Sequence, residues 1–250
     1  MRIICIIPAR LASTRFPKKI LQILGQKPIL QWVYEAALAT RCFDEVAIAL
    51  DSVETAEVVE SFGGKYFMTS PDCESGTDRL VELMQKKLIE GDIWVNWQGD
   101  EPFIHKIMIE NLLQSTHDKR FDIWTLKKQI TTFSEVEMPH VCKVVTDQEG
   151  KALYFSRSPI PYCRDKENLH KIPYFRHIGI YAFTQSALEK IALLKPSTLE
   201  LAEMLEQLRF LSHGFQIQVH ETRYDTIGID LPEHLVYAEG WLASSKGVKA

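Results

Sequence analysis

The chain has little from which to build a disulfide framework, a zinc site or a membrane span. Its five cysteines, Cys5, Cys42, Cys73, Cys142 and Cys163, are scattered and include no Cys-x-x-Cys pair. That argues against a cross-linked scaffold and a structural zinc, and for a reducing compartment. No apolar stretch approaches the roughly 20 residues that a membrane helix needs. The first apolar run, Ile3 to Ile7, is too short for a secretory core, and Arg10 and Arg15 follow it at once. A cytoplasmic, soluble protein with no membrane partner is expected. An excess of positive charge is also missing: the formal net charge is -4 and the pI about 6.1. A duplex-binding protein is normally basic overall, so no nucleic-acid partner is expected. The first turn contains no glycine, and without G-x-G-x-x-G a dinucleotide oxidoreductase is disfavoured.

What is present is a core and an order. With 250 residues, 46% of them hydrophobic, the chain can bury a sizeable interior. Apolar runs at 3–7, 45–51, 65–69 and 93–97 read as strands. Between them lie helical patterns at 28–39, 53–62 and 77–89, and another follows at 104–115. This βαβα alternation predicts an α/β fold, a Rossmann-like, mostly parallel sheet with helices on both faces. Residues 121–130, 141–146 and 151–156 then read as extended, and Pro159, Pro161 and the polar run 164–171 as a loop. A single domain over 1–250 is expected, with a strand-rich insertion over about 121–183 acting as a lid or dimer surface. Helical patterns return at 185–194 and 199–213. A strand at 216–221 and a helix from Leu231 close the chain.

The most telling segment is the loop after the first strand, Pro8-Ala-Arg-Leu-Ala-Ser-Thr-Arg-Phe-Pro-Lys-Lys19. Arg10, Arg15, Lys18 and Lys19 repel one another unless a polyanion joins them. Guanidinium forks and lysine point charges suit phosphate oxygens. In open α/β sheets, ligands sit at this end of the strands. A phosphate site is the reading, set against the plainer one of a solvated basic loop.

A second strand end carries Asn96-Trp-Gln-Gly-Asp-Glu-Pro102. A carboxylate beside bound phosphates is useful mainly when it holds Mg²⁺, which makes Asp100 a candidate ligand. Asp230, in Gly228-Ile-Asp-Leu-Pro-Glu233, fits a capping box at least as well as a metal site. Ser75 and Asp78 can likewise cap a helix, though Gly76 lets backbone N–H groups approach a ligand there. In Arg176-His-Ile-Gly-Ile-Tyr181, period two puts His177, Gly179 and Tyr181 on one face, a floor for a polyhydroxy ligand or simply a half-buried strand. Leu201, Met204, Leu205 and Leu208 read as the core stripe of one helix, with Glu203 and Gln207 sharing a face beside it.

Taken together, these segments resemble the 3-deoxy-D-manno-octulosonate (Kdo) cytidylyltransferases. The resemblance runs through Pro8-Ala-Arg10, Ser13-Thr-Arg15, Lys19, Ser75-Gly-Thr77, Gln98-Gly-Asp-Glu-Pro102, Ala152 to Arg157, His177 to Tyr181, Glu203 to Arg209 and Gly228-Ile-Asp230. It implies that Arg10, Arg15 and Lys19 hold the CTP triphosphate. The loop backbone at Ala9 and Ser13, with Ser75 and Gly76, would lie near the base, and Gln98 in the crevice. Asp100 and Asp230 would bind Mg²⁺, while Arg157, His177, Tyr181, Glu203 and Gln207, with Arg79 as a looser candidate, would hold Kdo. Arg10, Lys19 and Asp100 would carry catalysis. The implied reaction makes CMP-Kdo and pyrophosphate for lipopolysaccharide assembly, in a homodimer. Lys18 stands where glycine is expected, implying a stiffer loop or one more phosphate contact. Glu74, Asp78 and Trp97 also depart from the pattern. The rival readings are a CMP-sialate synthetase or other sugar nucleotidyltransferase, a glycosyltransferase, and a non-catalytic nucleotide-binding regulator.

Overall fold

The computed structural model describes residues 1–13, 16–165, 167 and 171–245. The chain forms two compact units, Met1–Lys106 with Thr226–Ala250, and Ile107–Asp225.

In the first unit β1 (Ile3–Ala9) leads through a loop to a hairpin of β2 (Ile23–Leu24) and β3 (Lys27–Pro28). Then come α1 (Ile29–Thr40), β4 (Glu45–Leu50), α2 (Val53–Ser61), β5 (Tyr66–Met68), α3 (Gly76–Gln85) and β6 (Ile93–Asn96). Strands β6, β1, β4 and β5 pair in that order, all parallel. β1, β4 and β6 are buried along nearly their whole length. Both faces of such strands must be covered, so they read as unbroken apolar runs. Helix α2 starts at Ser52, whose side chain accepts from Thr55 N–H, and the chain turns after it through Gly63 at φ +69°. The strand order reverses between β1 and β6. Such a switch point opens a crevice at the C-terminal ends of the two strands, where the basic loop and the Asp100 turn begin.

The second unit runs α4 (Lys106–Leu113), β7 (Ile123–Gln129), α5 (Phe133–Glu137), β8 (Lys143–Thr146), β9 (Ala152–Ser156) and β10 (Phe175–Thr184). It ends with α6 (Gln185–Ile191), α7 (Thr198–Glu203), α8 (Gln207–Ser212) and β11 (Ile217–Glu221). Its pairing is mixed. β11 runs parallel to β7, whereas β7–β10, β10–β8 and β8–β9 are antiparallel. Of the polar loop expected over 164–171, residues 166 and 168–170 lie outside the described residues.

The single helix expected over 199–213 is broken. α7 ends at Met204 in the left-handed conformation, φ 51°, and α8 begins at Gln207. Leu205 and Leu208 are buried as expected, but Leu201 and Met204 are exposed. The Arg157 side chain explains the break: Nε donates to Glu203 O at 2.7 Å and Nη2 to Met204 O at 3.2 Å. Carbonyls held by a guanidinium have no need of a continuing helical ladder.

Candidate active site

The switch point of the first unit gathers a cavity of about 180 Å³ lined by Pro8, Arg10, Ser13, Lys19, Ser75, Gly76, Arg79, Gln98 and Asp100, among others. Gly99 makes this closeness possible. A Cβ there would lie 2.7 Å from the Pro8 carbonyl oxygen, so any side chain would push the two strand-end loops apart. At the centre, Lys19 Nζ donates to Asp100 Oδ2 and, at 2.9 Å, to Asp230 Oδ1. Burial alone would lower the lysine pKa. The Asp100 charge and the hydrogen bonds to both carboxylates outweigh it and hold the ammonium above its ordinary range. The C-terminal helix begins at Pro232, and Asp230 lies two residues ahead of it. Its carboxylate is thus turned toward Lys19, and Ile229 N–H donates to Asp100 O at 3.0 Å, tying the two segments together.

Ser75 caps α3 as the sequence suggested. Its hydroxyl accepts from Asp78 N–H, and the Asp78 carboxylate accepts from Ser75 N–H. Arg10 is exposed and makes no ion pair or hydrogen bond among the described residues, which leaves its guanidinium available to an anion. Arg15 lies outside the described residues. Cys73 also lines the cavity, but burial and its hydrogen bond to Glu82 push the thiol up to about 12, far from a reactive thiolate.

The second unit brings together a different set. His177 N–H donates to Cys142 O at 2.8 Å. Gln207, almost fully buried, points its amide at Cys142 Sγ, 3.6 Å away. Glu203 accepts from the Ser156 hydroxyl at 2.6 Å and from Arg157 N–H at 2.8 Å. Arg157 and Glu203 therefore hold each other, and three of the five guanidinium N–H donors already serve carbonyls, of Glu203, Met204 and Pro139. The His177 and Tyr181 ring centroids lie 5.4 Å apart on one face. A bulge produces this. β10 advances from Ile178 to Tyr181 while β7 advances only from Leu126 to Thr125. In a regular strand, residues four apart are separated by about 13 Å.

Burial pushes the His177 imidazole down to about 3. A depressed histidine pKa favours the fold above the unfolded value near 6.5, and that stability is lost as pH falls toward 3. Because the residue as a whole is only partly buried, we expect the wild type to lose about 2 kcal/mol more than His177→Gln between pH 7 and 4.5. Chemical denaturation at the two pH values measures this, and equal losses would remove His177 as the cause.

Against this geometry, residues 4–219 match the family model for cytidylyltransferases. Among curated relatives, the 3-deoxy-manno-octulosonate cytidylyltransferase of Thermodesulfovibrio yellowstonii is 46% identical, covering 94% of this chain and 96% of its own. That of Flavobacterium johnsoniae is 44% identical, covering 97% and 99%. The chain belongs to the cytidylyltransferase family. A solved structure of CMP:2-keto-3-deoxy-manno-octonic acid synthetase complexed with CTP superposes with a TM-score of 0.92 at 42% identity, covering 98% of this chain and 100% of that one. The 4-diphosphocytidyl-2C-methyl-D-erythritol synthase of Anaerococcus prevotii, at 12% identity and a TM-score of 0.63, shares the fold.

Within this cytidylyltransferase, three of the residues singled out from the sequence are held by contacts inside the fold. Arg79 lines the first unit's cavity, with its side chain only 2% exposed and its Nη2 on Asp51 Oδ2 at 2.7 Å. Asp51 Oδ1 accepts from Leu11 N–H at 3.0 Å, so the pair anchors the start of the basic loop. Trp97 is fully buried, donates to Glu101 O at 3.0 Å and stays out of the cavity lining. Lys18 sits at φ 50°, a left-handed conformation that explains why glycine would suit the position, and its Nζ meets both Glu54 oxygens at 2.6 and 2.8 Å. Lys18→Gly should therefore be about 1 kcal/mol more stable than Lys18→Ala, since both lose the exposed ion pair and only one relieves the strain. Equal melting temperatures for the two would deny that strain.

Sequence reading missed Asp51, Thr125 and Lys143. Asp51 had a usable signal, since it follows a buried strand beside β1. Lys143 is wholly buried and donates to the carbonyls of Met138, Val141 and Arg157, bracing the segment that carries Arg157.

Proposed function

We infer that this chain is a 3-deoxy-manno-octulosonate cytidylyltransferase, joining CMP from CTP to Kdo with release of pyrophosphate. The observation that carries the reading is the Asp100–Lys19–Asp230 cluster at the switch point, in a chain alike over nearly its whole length to enzymes of that name. The anomeric 2-hydroxyl of Kdo attacks the α-phosphorus of CTP. A new P–O bond forms, the α–β phosphoanhydride breaks, and the hydroxyl proton is released. Such a reaction asks for in-line positioning and charge cancellation more than covalent help. Arg10 and Lys19 supply fixed positive charge for the triphosphate. The backbone at Ala9, Ser13, Ser75 and Gly76 and the amide of Gln98 frame the nucleotide.

Mg²⁺ is part of this reading. The donor set fits: two carboxylates already converge on one cation, Lys19 Nζ, and hard carboxylate oxygens are the donors that Mg²⁺ takes. Asp100 and Asp230 would hold it, and its charge would lower the cost of the negative charge that builds on the phosphates. In the second unit, His177, Tyr181, Gln207, Arg157 and Glu203 make the Kdo-binding set. We also propose a homodimer, supported by large apolar side chains left exposed there at Leu153, Tyr162, Leu193, Leu201 and Met204.

No helix among the described residues is long and apolar enough to cross a membrane. Pyrophosphate release measured with CTP, Mg²⁺ and Kdo, beside sialic acid and other nucleotides, tests the reading. Release that requires both CTP and Kdo is expected. Release only with sialic acid would keep the chemistry and overturn the substrate, and release with no sugar acid would overturn the function.

A further inference from the structure

The bulge in β10 leaves a polar arrangement that defines how His177 can act. Thr125 is wholly buried on β7, and its hydroxyl oxygen lies 2.8 Å from Ile180 O, 3.1 Å from Ile178 O and 2.9 Å from His177 Nε2. A hydroxyl has one proton and two lone pairs. If that proton pointed at the imidazole, two carbonyl oxygens would face the Thr125 oxygen at hydrogen-bond distance with no hydrogen between them. The proton therefore belongs to the carbonyls exposed by the bulge, and the contact with the ring must be an N–H from histidine. Phe155 meets the same ring at 5.0 Å between centroids in a T-shaped arrangement and Tyr181 lies at 5.4 Å, so two aromatic rings pack against the imidazole. Nδ1 meets no protein partner among the described residues.

We propose that Thr125 is a positioning residue that fixes His177 as the Nε2–H tautomer, so that the ring presents Nδ1 as a hydrogen-bond acceptor to a sugar hydroxyl. A ring so placed is a poor partner for the sugar acid's carboxylate, because it offers that carboxylate no N–H and no charge. Burial, which disfavours the imidazolium, acts in the same direction. The assignment separates the sugar-binding residues by role. His177 reads a hydroxyl hydrogen, whereas the carboxylate must find its donors elsewhere. The identity of the hydroxyl's owner rests on the cytidylyltransferase reading; the tautomer does not.

The test combines nitrogen-15 NMR of histidine-labelled enzyme with steady-state kinetics on wild type, Thr125→Ser and Thr125→Val. In the wild type, His177 Nε2 should resonate as a protonated, pyrrole-type nitrogen and Nδ1 as a bare, pyridine-type one. Thr125→Ser should keep that pattern. Thr125→Val should lose it and raise the KM for Kdo about five- to tenfold, the weight of one neutral hydrogen bond, with kcat within about twofold. A protonated Nδ1 or a charged ring in the wild type overturns the proposal, as does an unchanged pattern in Thr125→Val. Should Thr125→Val fail to fold, the wild-type spectrum and Thr125→Ser still decide the tautomer. If Kdo is no substrate at all, the functional reading fails while the NMR result stands on its own.

Discussion

Replacing Asp100 with alanine should lower pyrophosphate release at least about a thousandfold while leaving the fold intact. In its proposed role as a Mg²⁺ ligand, Asp100 would hold a divalent charge beside the phosphates whose loss forfeits several kcal/mol of transition-state stabilisation, and about 4 kcal/mol corresponds to three orders of magnitude. The fold should survive because the substitution orphans no charge. Lys19 keeps Asp230 at 2.9 Å, and the Asp100 side chain is 26% exposed. The stability change should stay within about 1 kcal/mol, as for a partly solvated pair. Asp100→Asn separates charge from shape, and it too should be almost inactive. The same substitutions should abolish any dependence of the melting temperature on Mg²⁺ seen in the wild type with CTP bound. Turnover within a few fold of wild type in Asp100→Asn would take the carboxylate out of the chemistry and leave Lys19 as the active charge of the cluster.

How much of this could be read beforehand depended on the distance over which each feature is encoded. The parallel strands of the first unit are buried on both faces, so each one is an unbroken apolar run, such as Ile3 to Ile7 or Ile93 to Val95, visible without knowing its neighbours. The Ser75–Asp78 capping box is equally local. The break between α7 and α8 was not legible, because Met204 carries no helix-breaking chemistry. An arginine 47 residues earlier claims its carbonyl, a case of tertiary contact overriding local propensity. The His177–Tyr181 face was expected for a simpler reason than the real one. Alternation predicted the shared face, but only the bulge brings the rings into contact, and Gly179 was its one local trace. The basic loop was legible as a loop at a strand end of the switch point, where Arg10, Ser13 and Lys19 line the cavity. What its lysines do depended on long-range partners, with Lys18 held by Glu54 and Lys19 by Asp100 and Asp230.

Asp51→Ala should be the most damaging of these substitutions to the fold, costing about 3–5 kcal/mol. Arg79 and Asp51 are 2% and 7% exposed as side chains, so deleting the carboxylate leaves a guanidinium out of water with, among the described residues, the Thr69 hydroxyl and a long contact to Ser70 O at 3.4 Å. In a protein whose total stability is about 5–15 kcal/mol, that is a large fraction. For a chain of this size it should lower the melting temperature by roughly 10–15 °C. Asp51→Asn retains an oxygen for Leu11 N–H and loses only the charge, so it should cost less and raise the KM for CTP less than alanine does. The double variant Asp51→Leu, Arg79→Met removes both charges together. It should recover most of the loss, because the penalty arises from the unpaired ion more than from the missing attraction. The KM for CTP need not recover with it. The leucine cannot accept the Leu11 N–H, so the start of the basic loop stays loose even in a stable protein. Strictly additive stability losses in the double variant would show that the two residues act independently and that the loop is anchored by other means.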